Sequence, residues 1–106
     1  MSIPITPEML NRLQKLQEER KFSATRFYPG ATTENTRSLC ERRVNSFLSD
    51  IVTLLQLRCE RENIFALARE LNRTFAREDT EERERVEDYI GEAMRIIGLK
   101  DWTEHV

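Results

Sequence analysis

Four blocks of apolar residues that recur every third or fourth position constrain this chain more than any other feature. That spacing matches the 3.6-residue turn of an α-helix, so each block predicts a helix with one apolar face. Isolated helices of this length are marginal in water, so the faces must pack together. The pattern predicts an all-α fold, an antiparallel bundle of about four helices, with residues 1–106 forming a single domain. The blocks are Met9 to Leu16, Leu39 to Leu55, Ile64 to Phe75 and Val86 to Ile97.

Polar residues in front of the blocks mark the expected helix starts. Thr6 stands before the first block, and Thr32 or Thr33 before the second. A threonine at such a position can accept a hydrogen bond from an unpaired N–H of the first turn. Asp79, with Glu82 three residues later, resembles a capping box for the last helix.

The two central blocks are out of phase. Ile64 follows Leu55 by nine residues, which at about 100° per residue places the two on opposite sides of a straight helix. The simplest explanation is a break in the polar run 58–63. Because that run has no glycine or proline, one long bent helix over residues 33–76 remains the alternative.

The charge is nearly balanced, at a formal net value of −2. This balance argues against nucleic acid or a membrane surface as the partner. The arginines Arg37, Arg42 and Arg43 alternate with acids, and we expect them on an ordinary solvated face. No apolar run approaches the length of a membrane span, and residues 1–7 do not resemble a secretory signal. We therefore expect a cytoplasmic protein.

The region after residue 78 carries the clearest resemblance to a known family. It contains the run DTEERER at residues 79–85, Tyr89-Ile90, and IIGL at residues 96–99. Lys21-Phe22 and Tyr28-Pro29-Gly30 fit the same pattern nearer the start. Over residues 13–102 the chain resembles a family of small bacterial proteins described only as a domain of unknown function. The resemblance implies an all-α fold and brings no activity with it.

An aromatic segment between the first two blocks is the first candidate contact surface. Phe22, Arg26, Phe27 and Tyr28 lie there with no helical period. Aromatic residues and arginine dominate binding hot spots, so these four are predicted to contact a partner. The alternative is that Phe22 and Phe27 close the end of the bundle.

The acidic start of the last helix is the second candidate surface. Glu81, Glu84 and Asp88 share one helical face and could dock a basic partner protein. The alternative is a solvated helix start whose acids complement the helix dipole. A metal site is disfavoured because arginines interleave with the acids and no Glu-x-x-His sequence is present.

No catalytic apparatus is recognisable in the sequence. Cys40 lies on an apolar face, and the one histidine, His105, is near the end of the sequence. If residues 40–59 form one straight helix, the sulfurs of Cys40 and Cys59 lie about 28 Å apart, too far for a disulfide. We therefore expect no enzyme activity, no cofactor and no metal. The preferred hypothesis is a protein-binding module, such as an inhibitor, immunity protein or adaptor. The alternatives are a self-associating domain, with a homodimer possible, and a small-ligand binder or enzyme with an unrecognised pocket.

Overall fold

The computed structural model describes residues 3–106, which form four α-helices, one short 3₁₀-helix and no strand. The all-α prediction of a four-helix bundle is confirmed. Helix α2 contacts the other three helices, and α4 also packs on α1 and α3. None of the described helices combines the length and the apolar character needed to span a membrane. The helices are α1 (Pro7–Glu18), α2 (Glu34–Gln56), α3 (Arg61–Thr74) and α4 (Thr80–Ile97), followed by the 3₁₀-helix Trp102–Glu104.

Two of the predicted N-caps are confirmed at atomic detail. Thr6 Oγ1 accepts a hydrogen bond from the Met9 N–H at 3.1 Å, and Thr33 Oγ1 accepts one from the Thr36 N–H at 3.1 Å. Each bond satisfies an N–H that has no partner inside its helix. At the other end of the chain, Gly98 closes α4 in a left-handed conformation with φ +82°, where glycine carries no Cβ penalty.

The predicted break between the two central blocks is confirmed, and the single bent helix is wrong. Arg58 adopts a left-handed φ of +58° just after α2. The Arg58 N–H donates to the Leu55 carbonyl at 3.0 Å, and the Cys59 N–H donates to the Leu54 carbonyl at 3.1 Å. This is the Schellman arrangement that ends helices. The turn reorients the chain between α2 and α3, so that the apolar faces of these two helices meet in one core.

The expectation that Arg37 lies on a solvated face is wrong. Its guanidinium is buried, donates to the Lys21 carbonyl at 2.9 Å, and pairs with Glu34 and Glu41 at 2.9 and 3.1 Å. Lys21 is also buried, and its ammonium donates to two carbonyls at the end of α1. Residues 19–33 pack over this side of α2. The helical period of α2 alone does not predict that another segment buries this side.

Candidate functional site

Residues 19–33, here called the connecting loop, have one defined shape. The Ala31 N–H donates to the Phe22 carbonyl at 3.1 Å, and the Thr25 N–H donates to the Tyr28 carbonyl at 2.8 Å. Gly30 has φ +87°, and a Cβ there would come within 3.0 Å of the Ala24 nitrogen. Glycine is therefore required at this turn for both conformation and space.

Phe22 anchors the connecting loop in the core. Its side chain is fully buried, and its ring stacks on Phe75 with 5.7 Å between centroids. Its N–H donates to the hydroxyl of Tyr89 at 3.1 Å. Of the residues predicted to contact a partner, Phe22 therefore has no surface to offer. Its burial agrees with the alternative prediction for Phe22, whereas the same prediction is wrong for Phe27, whose side chain is exposed.

Tyr28 is the second anchor, and it bonds to a buried acid. The Tyr28 hydroxyl donates to Glu82 Oε2 at 2.7 Å, with Tyr28 6% and Glu82 3% exposed. Burial, together with this hydrogen bond, raises the pKa of Tyr28 well above its usual value. The predicted capping box is wrong. Asp79 is the N-cap residue of α4 but its side chain makes no capping bond, and Glu82 turns to Tyr28 instead.

Phe27 lies between these anchors and faces the opposite way. Its side chain is 91% exposed, the highest value among the large exposed apolar residues of the described chain. The Arg26 guanidinium lies over its ring, 5.4 Å from the centroid. The loop thus presents one aromatic ring to solvent on a backbone that the core holds in place.

The structure brings the two predicted contact regions together. A small cavity of about 80 Å³ is lined by both the connecting loop and the first turns of α4. Glu81, Glu84 and Asp88 are exposed on its α4 side. Five of the seven predicted partner-binding residues line this cavity, Arg26 joins them through its contact with Phe27, and Phe22 stays apart in the core. We call Phe27, Glu81, Glu84 and Asp88 the Phe27 surface.

Arg85 is a residue of this site that the sequence did not reveal. Its guanidinium lies over the rings of Tyr89 and Tyr28, at 4.8 and 5.7 Å from their centroids, and pairs with Asp88 at 3.4 Å. The helical spacing of Arg85 to Asp88 and Tyr89 was an available signal. The contact with Tyr28 was not, because it depends on the shape of the connecting loop.

A family model described as a domain of unknown function, DUF4844, matches residues 4–105. The chain belongs to the DUF4844 family. No curated protein and no solved structure matches it. The resemblance noted in the sequence is thereby confirmed at the level of the family.

The thiols of this DUF4844 chain are poorly suited to nucleophilic chemistry. Cys40 is fully buried, and burial raises the pKa of its thiol to about 11. Burial also raises the pKa of the Cys59 thiol. A thiol with a raised pKa holds little of the reactive thiolate at neutral pH.

One group of side chains in the described part of the DUF4844 chain is close enough to share a metal ion. Ligand atoms of Asp101, Glu104 and His105 lie within 4.8 Å of one another. The Arg61 guanidinium, however, pairs with Asp101 and lies 3.3 Å from His105 Nε2. His105 also stacks on Phe65, with 4.6 Å between ring centroids. Asp101 and His105 therefore already have partners within the molecule.

A wider depression lies beside the Phe27 surface. It has a volume of about 440 Å³ and is lined by residues 29–32, Asp79, Glu81 and Glu82. Of the polar residues near the connecting loop, Glu81 and Glu82 line this depression, whereas Arg26, Tyr28 and Tyr89 do not. The structure instead commits the Tyr28 hydroxyl to Glu82 and the Tyr89 hydroxyl to the backbone of Phe22.

Proposed function

We propose that this DUF4844 chain is a non-enzymatic protein-binding module that contacts its partner through the Phe27 surface. The proposal places it among small bacterial inhibitors, immunity proteins or adaptors that act in the cytoplasm. The observation that carries it is the 91% exposure of Phe27 between two buried aromatic anchors. Phe22 and Tyr28 are buried in the core, whereas the Phe27 side chain is exposed and available to a partner.

The energetics of Phe27 favour its use as a contact residue. Burying a phenylalanine side chain contributes roughly 1.5–3 kcal/mol. Because Phe22 and Tyr28 already hold the backbone on both sides, little further ordering of the loop is needed on binding. Such preorganised aromatic residues are typical binding hot spots.

The non-enzymatic part of the proposal is supported by what the candidate groups do. The Cys40 thiol has its pKa raised to about 11, and the His105 ring is stacked on Phe65. The two tyrosine hydroxyls beside the connecting loop are engaged in internal hydrogen bonds.

The test is capture of the partner from the native cell, followed by titration of the purified pair. Leu57 is a matched control for Phe27, because it is also a large apolar residue, 73% exposed, in a connection between helices. We expect wild type and Leu57→Ala to recover the same protein in stoichiometric amount. Phe27→Ala should bind it at least about tenfold more weakly, the loss expected for a hot-spot truncation. Equal affinity of Phe27→Ala, or recovery of no stoichiometric protein by wild type, would contradict the proposal.

A second candidate function is self-association, supported by an apolar groove between α2 and α3. The groove has a volume of about 250 Å³, and Phe47, Leu67 and Leu71 form its apolar lining. A symmetric dimer could bury this groove against its copy. Sedimentation equilibrium at high protein concentration decides the matter. A dimer that Leu67→Lys converts to a monomer supports self-association, and a strict monomer excludes it.

A further inference from the structure

We infer that the partner presents a basic polypeptide segment to the Phe27 surface. In this arrangement, lysine or arginine side chains of the partner meet Glu81, Glu84 and Asp88, and an apolar residue beside them packs on Phe27. The inference rests on the proposed function and specifies the chemistry of the partner.

The three acids form a continuous row on α4. Glu81, Glu84 and Asp88 are spaced by three and four residues, so they follow one another along a single helical face. At a rise of 1.5 Å per residue, the row is roughly 10 Å long. All three side chains are exposed. A short segment of a partner chain can therefore reach all of them at once.

Two of the three acids in this row have no ion pair in the part of the chain that the structure describes. Among residues 3–106, no basic side chain forms an ion pair with Glu81 or Glu84. Two arginines of α4 lie close to the row. Arg83 donates to the Thr80 hydroxyl at 3.1 Å, and Arg85 lies over two tyrosine rings and pairs with Asp88. Because three acids and one arginine line the cavity, a binding partner meets a net negative surface there, which repels the phosphates of nucleic acid and of anionic lipid.

The cavity between Phe27 and the acids is lined by three acids and by Arg85, which already pairs with Asp88, so Glu81 and Glu84 are left to meet the end of one basic side chain. Its volume of about 80 Å³ corresponds to two or three water molecules. Lysine and arginine can lay their methylene groups on an aromatic ring while their charge reaches an acid. Phe27 and Glu84 line the same cavity and so offer both kinds of contact to one side chain.

The experiment is selection of peptides from a displayed random dodecapeptide library against the full chain. The double variant Glu81→Lys/Glu84→Lys tests the acidic row. Glu8→Lys/Glu62→Lys is the matched control, because Glu8 and Glu62 are exposed first-turn acids like Glu81. Thermal unfolding of each variant verifies that it folds.

We expect the selected peptides to contain at least about threefold more lysine and arginine than the library, next to an apolar residue. Their affinity should fall at least about tenfold with Glu81→Lys/Glu84→Lys and with Phe27→Ala, and less than about twofold with the control. It should also weaken when the salt concentration is raised from about 50 to 300 mM, because exposed charges are screened.

Several outcomes would overturn the inference. One such outcome is the selection of neutral or acidic peptides that depend on Phe27 but tolerate the charge reversal. In that case the basic partner is wrong, while the proposed function stands. Selection of no peptide, or of peptides indifferent to both variants, also overturns it. The capture experiment with Phe27→Ala decides the proposed function independently.

Discussion

Two pairs of sequence neighbours, Phe27 with Tyr28 and Glu81 with Glu82, show how one surface of this molecule differs from the layer beneath it. In each pair the first residue is exposed and the second is buried. On α4, one residue corresponds to a rotation of about 100°, which turns Glu81 to solvent and Glu82 to the core. In these two pairs, residue type does not tell which side chain supports the fold and which is available to a partner. The direction in which each side chain points tells them apart.

The buried members of the two pairs stabilise each other. A carboxyl group is costly to bury unless it is hydrogen-bonded, and Glu82 accepts its bond from Tyr28 at 2.7 Å. This bond ties the connecting loop to α4 and fixes the position from which Phe27 projects. Within residues 3–106 the exposed members, Phe27 and Glu81, make no comparable hydrogen bond, so we expect them to contribute little to stability.

The largest expected effect sets Phe22 against Phe27. Phe22→Ala should lower the free energy of unfolding by about 3–5 kcal/mol, because it removes a fully buried ring that stacks on Phe75. Phe27→Ala should change it by less than about 0.5 kcal/mol. Urea unfolding of both variants measures the difference. A similar loss of unfolding free energy in the two variants would contradict the assignment of Phe22 to the core and of Phe27 to the surface.

The next effect concerns the buried hydrogen bond. Tyr28→Phe should cost about 1–3 kcal/mol, because it leaves the buried Glu82 carboxyl without its donor. Glu81→Gln, one residue away on the exposed face, is the control and should change stability by less than about 0.5 kcal/mol. The same urea unfolding experiment compares the two. A neutral Tyr28→Phe would show that the loop is not held to α4 by this bond.

A smaller effect is the pH dependence of stability that arises from Glu34 and Glu41, the two acids paired with Arg37. Hydrogen bonding to Arg37 lowers the pKa of Glu34. Burial acts to raise the pKa of Glu41, but hydrogen bonds from the Lys21 N–H and from Arg37 outweigh it, and that pKa is lowered too. Between each folded pKa and the unfolded value near 4.5, the unfolded chain binds more protons. The stabilisation is therefore fully present above that value and is lost as the pH falls through the folded pKa.

The test of this dependence is urea unfolding at pH 6 and at pH 3, for wild type and for Arg37→Met. We expect the free energy of unfolding to fall between the two pH values in wild type. The fall should be smaller in Arg37→Met, because Glu34 and Glu41 lose the partner that lowers their pKa values. Arg61→Met, which removes the partner of Asp101, serves as a comparison at a separate ion pair. If the free energy of unfolding falls equally in wild type and in Arg37→Met, then Arg37 is not what lowers the pKa values of Glu34 and Glu41.

Local signals allowed much of the fold to be predicted. Thr6 and Thr33 act through bonds to residues three positions ahead, and the break after α2 follows from a phase error within one stretch of sequence. The wrong predictions all involve the connecting loop. Arg37 and Glu82 are buried because the loop covers them, through contacts with Lys21 and Tyr28 that are distant in sequence. A segment without a helical period gave no means of telling that Phe22 turns inward and Phe27 outward.

The smallest expected effect on stability lies on the exposed face, where it separates Glu84 from Asp88. Glu84→Gln and Asp88→Asn should each change the free energy of unfolding by less than about 0.5 kcal/mol. Binding to the captured partner should distinguish them. Asp88 already shares its charge with Arg85 at 3.4 Å, whereas Glu84 has no ion pair within residues 3–106.

Stopped-flow measurement of partner binding at several salt concentrations tests this last difference. We expect Glu84→Gln to slow association a few-fold at low salt and to flatten its salt dependence, because a charge at the rim of an interface acts mainly on the association rate. Asp88→Asn should have the weaker effect, because Asp88 is already paired with Arg85 and attracts a basic partner less strongly than Glu84 does. If Asp88→Asn slows association more than Glu84→Gln, the Arg85–Asp88 pair is itself the contact. The partner would then recognise the Arg85–Asp88 ion pair and not the row of acids.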